Sequence, residues 1–206
     1  MTLPYVYNKR LVCNKDIGHP GTSQYIGMDV GAGRTTKKII TRFIFEKGTN
    51  SGTGAMIFTP LGNTSASQIL ERSVHVIFRN LYIRLQLCDN YNVTNFPVHY
   101  LPTPLPLDGI TECEGSVEVS GNDVIMSLGG NTYTEHVTGV DLNDYFGRYS
   151  IFEFYTGGNR DTIAMPEYTY AKLINDLNQT LIEDHFDRPD GLLTIAPNGI
   201  SYSLYT

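Results

Sequence analysis

Few residues of this chain are spaced for chemistry, and the densest group is a glycine turn. Ile26-Gly27-Met28-Asp29-Val30-Gly31-Ala32-Gly33-Arg34-Thr35-Thr36-Lys37 sets a carboxylate just before a Gly-x-Gly. Such glycines let backbone N–H groups approach a phosphate, and the Asp29 carboxylate would organise Mg²⁺ through water. The order G-x-x-x-x-G-K-[ST] is absent, and so is the spacing G-x-G-x-x-G. A second set is acidic: Glu112, Glu114, Glu118, Asp141, Asp144 and Glu153. A pair for glycoside hydrolysis could be drawn from them, and their separation in space decides whether one exists. The histidines (His19, His75, His99, His136, His185) and cysteines (Cys13, Cys88, Cys113) are scattered, with no pair at metal-ligand spacing. His75 lies in an apolar run and reads as a hydrogen-bonded core or interface histidine. No G-x-S-x-G elbow is present. The expectation is a non-enzymatic protein with no catalytic, cofactor-binding or metal-binding residue to assign.

The segment 26–37 resembles the first phosphate-binding turn of the actin-like ATPase and sugar-kinase superfamily. The resemblance implies a metal role for Asp29 and a phosphate turn shaped by Gly31 and Gly33. It covers only those residues of the 206. Enzymes of that superfamily close two α/β lobes on a nucleotide. The chain shows neither a second acidic-glycine turn nor the alternating β and α periods that such lobes need. The segment is therefore read as an irregular glycine loop feeding a strand at Lys38, and a small phosphotransferase ranks last among three functional readings.

Composition narrows the class. Charged residues are 17% of the chain and hydrophobic residues 41%; there are 14 Tyr, 9 Phe, 20 Gly and no Trp. Thr and Tyr suit pleated, half-buried surfaces, while Gly and Asn suit the turns between them. A disordered chain is excluded. No apolar run approaches the roughly 18 residues of a membrane-spanning helix, so no membrane partner is expected. The opening MTLPYVYNKR lacks a basic head followed by an apolar stretch, so no secretory signal is expected. The net charge is −6, unevenly spread. Residues 1–100 hold 11 basic and 5 acidic side chains, and residues 101–206 hold 4 and 16. Arg34, Lys37, Lys38, Arg42 and Lys47 make one basic segment, but the remaining acidity means nucleic acid is not expected as the main ligand.

The elements that must position these groups are mostly strands. Residues 1–36 read as an irregular N-terminal arm, with short strands at Pro4–Tyr7 and Arg10–Cys13. Lys38–Glu46 is a strand, and Ala55–Thr59 its return strand across a flexible 48–54 loop. Ser65 and Gln68 match a capping box, predicting one or two helical turns within 62–72. Ser73–Phe78 and Leu81–Cys88 read as strands, the second with the clearest period-2 alternation. A Pro-rich connection follows at 97–109. Hairpin turns are predicted at Gly121-Asn122 and at Gly129-Gly130-Asn131. The spacing Tyr170, Leu173, Leu177, Leu181 predicts an amphipathic helix over Pro166–His185. A terminal β-hairpin closes the chain at Leu192–Ala196 and Ile200–Tyr205.

The fold expected is mainly β: a single β-rich domain over 1–206, an antiparallel β-sandwich or barrel with one C-terminal amphipathic helix and a terminal β-hairpin. The leading functional reading is a structural, homo-oligomeric part of a virus particle, such as a phage tail, head–tail joining or capsid component. Its partners would be its own copies and neighbouring subunits, and its location the virion, assembled in the host cytoplasm. Four features motivate that reading: few charges, Thr/Asn/Gly/Tyr richness, oppositely charged half-chains and long irregular segments. The alternative is a carbohydrate- or receptor-binding β-module with a concave, tyrosine-bearing site.

Overall fold

The computed structural model describes residues 5–12, 23–60, 66–147, 149–155, 162–192 and 202–205. In chain order the first strands are β1 (Tyr5–Tyr7), β2 (Arg10–Val12), β3 (Ser23–Asp29), β4 (Lys38–Phe45), β5 (Asn50–Ser51) and β6 (Thr53–Thr59). A short helix α1 (Ala66–Glu71) precedes β7 (Arg72–Phe78), β8 (Tyr82–Asp89) and β9 (Asn92–Tyr100). Then come β10 (Glu112–Ser120), β11 (Asp123–Leu128), β12 (Asn131–His136) and β13 (Tyr149–Tyr155). The last are β14 (Ile163–Ala164), β15 (Pro166–Ile174), β16 (Thr180–Asp184), β17 (Gly191–Leu192) and β18 (Tyr202–Tyr205).

Two large antiparallel sheets result, with β5 and β14 forming a separate two-stranded parallel pair. A nine-stranded sheet runs β12-β11-β10-β4-β15-β2-β1-β17, with β16 also on β15; a seven-stranded sheet runs β18-β3-β13-β6-β7-β8-β9. The chain crosses repeatedly from one sheet to the other, after β2, β3, β4, β9, β12, β13 and β17, which gives a jelly-roll-like sandwich. Alternation along each strand sends one set of side chains into the shared core. Phe43 and Tyr168 come from one sheet, and Phe78, Phe152 and Phe154 from the other. The Phe43 and Phe78 rings stack at 4.7 Å, while Phe152 and Phe154 pack on the Tyr168 ring at 5.0 and 5.1 Å. Each ring removes a large apolar area from water, and offset or edge contacts add to that burial.

Several expectations hold locally. Ser120 pairs with Asp123 and Leu128 with Asn131, so both predicted turns are two-residue hairpins. Gly121, Gly129 and Gly130 sit at φ of 60°, 56° and 80°, the left-handed values such turns require. Ile83, Leu85 and Leu87 all enter the core from β8. The helical turns expected near Gln68 are α1; Ser65 lies outside the described residues.

The expected C-terminal helix is not formed. Its span is the β15–β16 pair, joined by a turn at 175–179. The register of β15 against β4 slips between Tyr168 and Tyr170. This bulge lets Tyr168, Ala171 and Leu173 all face inward, whereas Tyr170, which opened the predicted stripe, is not part of that core cluster. Leu177, the centre of the predicted stripe, sits in the turn and is 71% exposed. That turn is held by Asn175 Oδ1, which accepts from the N–H groups of Leu177 and Gln179 at 3.1 and 2.8 Å. The terminal hairpin also differs from expectation. Gly191–Leu192 pairs with β1, whereas Tyr202–Tyr205 pairs with β3 in the other sheet; residues 193–201 lie outside the described residues.

Segments expected to be irregular are packed elements. Ser23–Asp29, within the predicted arm, pairs on both sides in the seven-stranded sheet. β4 and β6 belong to different sheets, so they form no hairpin, and the glycines between them are tightly enclosed. A Cβ at Gly54 would run into the Phe78 ring. Pro97 lies on β9, an edge strand whose register slips, where a missing N–H is tolerated. Leu101 and Leu105, which follow it, are buried in the core.

The two half-chain charges interleave. Basic β4 lies beside acidic β10, with Lys38 on Glu118 at 2.7 Å and Arg42 on Glu114 at 3.3 Å, and Arg10 of β2 pairs with Glu167 of β15 at 2.7 Å. No positive face opposes a negative one there.

Replacing Gly54 with Ala forces the Phe78 ring out of its packed position. The expected loss is about 1–3 kcal/mol of stability, the usual cost of overpacking a core. A urea midpoint unchanged from that of the parent chain would contradict this packing.

Candidate functional site

The outer face of the seven-stranded sheet carries the candidate site. Its register places Tyr25, Glu153, Ala55, Ile77, Arg84 and Val98 in one row across six strands. A neighbouring row holds Tyr155 beside Thr53, and Tyr82 beside Tyr100. The row on the other side holds Ile57, His75, Gln86 and Asn95. These residues all point away from the main core because their chain neighbours point into it. Helix α1 lays Ile69 over Tyr25, Ala55, Ile57 and Ile151 and covers the middle of the face. Beside it remains a groove of about 280 Å³.

The groove combines rings with planar hydrogen-bonding groups. Tyr25, Tyr82 and Tyr155 line it, together with Arg79, Arg84 and Gln86. Tyr100, 70% exposed, meets the Tyr82 ring edge-on at 6.1 Å and extends the aromatic surface. Arg79 Nε donates to Thr53 Oγ1 at 2.8 Å, and Gln86 Nε2 donates to Asn95 Oδ1 at 2.6 Å. Arg84 Nε is buried and has no hydrogen-bond partner among the described residues. Glu153 is the carboxylate in the described lining, and its Oε1 accepts from Ser23 Oγ at 2.5 Å. Burial pushes the Glu153 carboxyl above its usual range, with the Ser23 and Tyr25 hydroxyls opposing. Burial, and then Glu153, pushes the Tyr25 hydroxyl up in turn.

Ser73, His75 and Cys88 form a buried polar cluster at the groove wall. Ser73 Oγ donates to the Ile69 carbonyl and lies 2.7 Å from His75 Nε2; Cys88 Sγ lies 3.8 Å from the same nitrogen. The residue types suggest a nucleophile with its base, but the geometry opposes that. With the Ser73 proton committed to Ile69, the neutral ring's Nε2–H is the donor to Ser73 Oγ, so no lone pair faces the hydroxyl. Burial lowers the His75 pKa to about 4 and pushes the Cys88 thiol up to about 11. At neutral pH the cluster is an uncharged set of hydrogen bonds that anchors α1 to β7.

The residues singled out in the sequence do not converge. Asp29 Oδ1 accepts from the Gly31 N–H at 2.8 Å, closing its own turn. Gly31 and Gly33, at φ of 92° and 75°, serve the crossing from β3 to β4, and a β-sandwich has no α/β lobes to close on a nucleotide. Glu112, Glu114 and Glu118 are on the outer face of the nine-stranded sheet, bonded to Thr169, Arg42 and Lys38. Asp141 caps a short 3₁₀ turn that contains Asp144. Glu153 alone of that acidic set lines the groove. His99 pairs with Glu135 at 2.6 Å, and His136 with Asp123 at 2.7 Å. The His185 ring packs on Tyr170. Cys13 and His19 lie outside the described residues. Tyr82, Arg84 and Gln86 were legible only as the polar side of β8, a signal that any half-buried strand carries.

The depressed His75 pKa makes a stability prediction. The unfolded ring titrates near 6.5 and the folded ring at about 4. Between those values the unfolded chain binds more protons, so stability is intact above about pH 6.5 and falls as the pH drops toward 4, by ~3 kcal/mol in all. His75→Gln removes this contribution. Urea titrations across that window should show a flatter pH dependence for the variant; equal slopes would contradict the assignment.

No protein-family model matches this chain, and no curated protein matches it by sequence. Solved structures do share its fold. The carbohydrate-binding module CBM66 from Bacillus subtilis superposes with a TM-score of 0.52 at 10% identity, covering 81% of this chain and 88% of that one. The Bacteroides ovatus mixed-linkage glucan PUL GH16, in complex with a G4G4G3G product, superposes with a TM-score of 0.50 at 8% identity, covering 81% and 85%. At these identities the likeness is one of fold: this chain is a jelly-roll-like β-sandwich.

Proposed function

We propose that this chain is a carbohydrate-binding β-module whose site is the groove on the outer face of the seven-stranded sheet. The observation that carries the reading is the groove itself, where tyrosine rings stand beside guanidinium and amide groups. A sugar presents C–H faces that pack on rings and hydroxyl edges that need planar donors and acceptors. The sandwich shared with a carbohydrate-binding module and with a glycan-bound GH16 structure supports the ligand class. Binding without hydrolysis is the favoured activity, because the described lining contributes Glu153 as its carboxylate and two are needed to flank a scissile glycosidic bond.

The features that pointed to a virus-particle subunit find uses within the chain. The opposite half-chain charges neutralise one another between β4 and β10 and between β2 and β15. Ser23–Asp29 and Asn92–Tyr100 pair in a sheet, and the glycines at 52 and 54 are enclosed. Thr and Tyr richness follows from the strand content.

Screening immobilised glycans followed by titration calorimetry tests the proposal. The parent chain should retain at least one glycan class. Tyr82→Ala and Gln86→Ala should each weaken that binding about tenfold, the effect of losing one well-placed contact of ~1.4 kcal/mol, without altering the thermal melt. A folded protein that retains no glycan would overturn the reading. Release of reducing ends from a bound glycan would replace it with a hydrolase.

A further inference from the structure

The charges lining the groove narrow the kind of sugar. Among the described residues, seven cations are matched by carboxylates. Lys9 sits on Asp187, Arg10 on Glu167, Lys38 on Glu118, Arg42 on Glu114, Arg72 on Asp89, Lys172 on Glu183 and Arg188 on Asp184. Arg34, Lys37, Lys47, Arg79 and Arg84 have no such carboxylate partner among the described residues, and of these Arg79 and Arg84 line the groove. Arg79 commits Nε to Thr53, which orients its guanidinium and leaves the two terminal amino groups for a ligand. Arg84 Nε is buried without an acceptor, and no described residue bonds its terminal amino groups either. An anionic oxygen in the groove can accept charge-assisted hydrogen bonds from those amino groups.

The groove supplies no neutralising charge at that end. Glu153 is three strands from Arg84 along their shared row, about 14 Å at the usual strand spacing. Glu153 is already held by Ser23. The His75 ring is neutral at pH 7 and adds no charge of its own. The Arg79–Arg84 end is thus a local cationic pocket on a chain whose net charge is −6.

We propose that Arg79 and Arg84 bind the acidic group of an anionic oligosaccharide, a uronate carboxylate or a sulfate ester, with the sugar ring toward Tyr82. The guanidinium fork suits both groups, since each offers two oxygens in a plane to parallel N–H donors. The inference rests on the carbohydrate-module reading and adds the ligand's charge to it.

Three probes of equal length test it by titration calorimetry on the full chain: an oligogalacturonate, a sulfated oligosaccharide and a neutral gluco-oligosaccharide. At least one acidic probe should bind tenfold or more tightly than the neutral one, and comparison of the two acidic probes identifies the group. Arg84→Gln and Arg79→Gln should each weaken binding of the acidic probe far more than that of the neutral one, abolishing most of that preference, in proteins whose thermal melts show them folded. Arg84→Lys, which keeps the charge but loses the fork, should retain part of it. Equal or tighter binding of the neutral probe would overturn the acidic assignment and leave the module reading standing, as would a preference that survives both Gln variants. Binding of no probe, and of no glycan on the screening array, would overturn both.

Discussion

The contact between the two sheets is carried by a knot of aromatic rings around Tyr168, and the positions of the other elements follow from it. Tyr168 projects from the nine-stranded sheet into a space bounded by Phe43, Phe78, Phe152 and Phe154. Its hydroxyl lies 3.5 Å from the carbonyl oxygen of Glu153, on the strand that carries the groove's carboxylate. Interiors packed at crystal-like density have little room for adjustment. Gly54 is a consequence: β6 can approach β7 only if the residue beside the Phe78 ring has no side chain. The β15 bulge serves the same packing, since it lets both Tyr168 and Ala171 face the core.

With the core placed between the sheets, the outer face of the seven-stranded sheet is released for other uses. Alternation requires that each strand delivering Phe, Val or Leu inward also deliver a residue outward. On β13, β7 and β8 those outward residues include Glu153, His75, Arg84 and Gln86. Helix α1 then divides the face. Its Ile69 seals an apolar patch, and the Ser73–His75 hydrogen bonds fix its end. The groove is what lies between the helix and the strands it leaves uncovered. Its rigidity comes from the sheet beneath, which suits a binding surface that needs no rearrangement to receive an extended ligand.

Burial decides the chemistry of this face more than residue identity does. Ser73, His75 and Cys88 would be a reactive set in a hydrated, charged cleft. Under α1 the same burial that lowers the histidine pKa raises that of the thiol. Both shifts favour the uncharged forms, so the cluster stabilises rather than reacts. At Arg79 and Arg84 the balance differs: no carboxylate among the described residues pairs with either guanidinium, which leaves their terminal amino groups without an ionic partner.

Local rules made much of the β architecture legible in the chain. Gly-Asn and Gly-Gly turns, the alternation of β8 and the Thr/Tyr-rich composition each act over a few residues, and each has the conformation those rules require. The predicted helix over 166–185 failed because its stripe of Tyr170, Leu173, Leu177 and Leu181 spans two strands and the turn between them, and the pairing with β4 and β16 that makes them strands is not written within the segment. The half-chain charges do not become opposite faces for the same reason: strand order, which is non-local, puts basic β4 beside acidic β10, so the halves interleave. The groove belongs wholly to the tertiary level. Its row from Tyr25 to Val98 draws on six strands separated by many residues in the chain, so its members share no motif. The sequence alone determined a strand-and-turn chain with two well-marked hairpins. Which sheet each strand joins, and hence which polar side chains meet, was decided only when the aromatic core brought the sheets together.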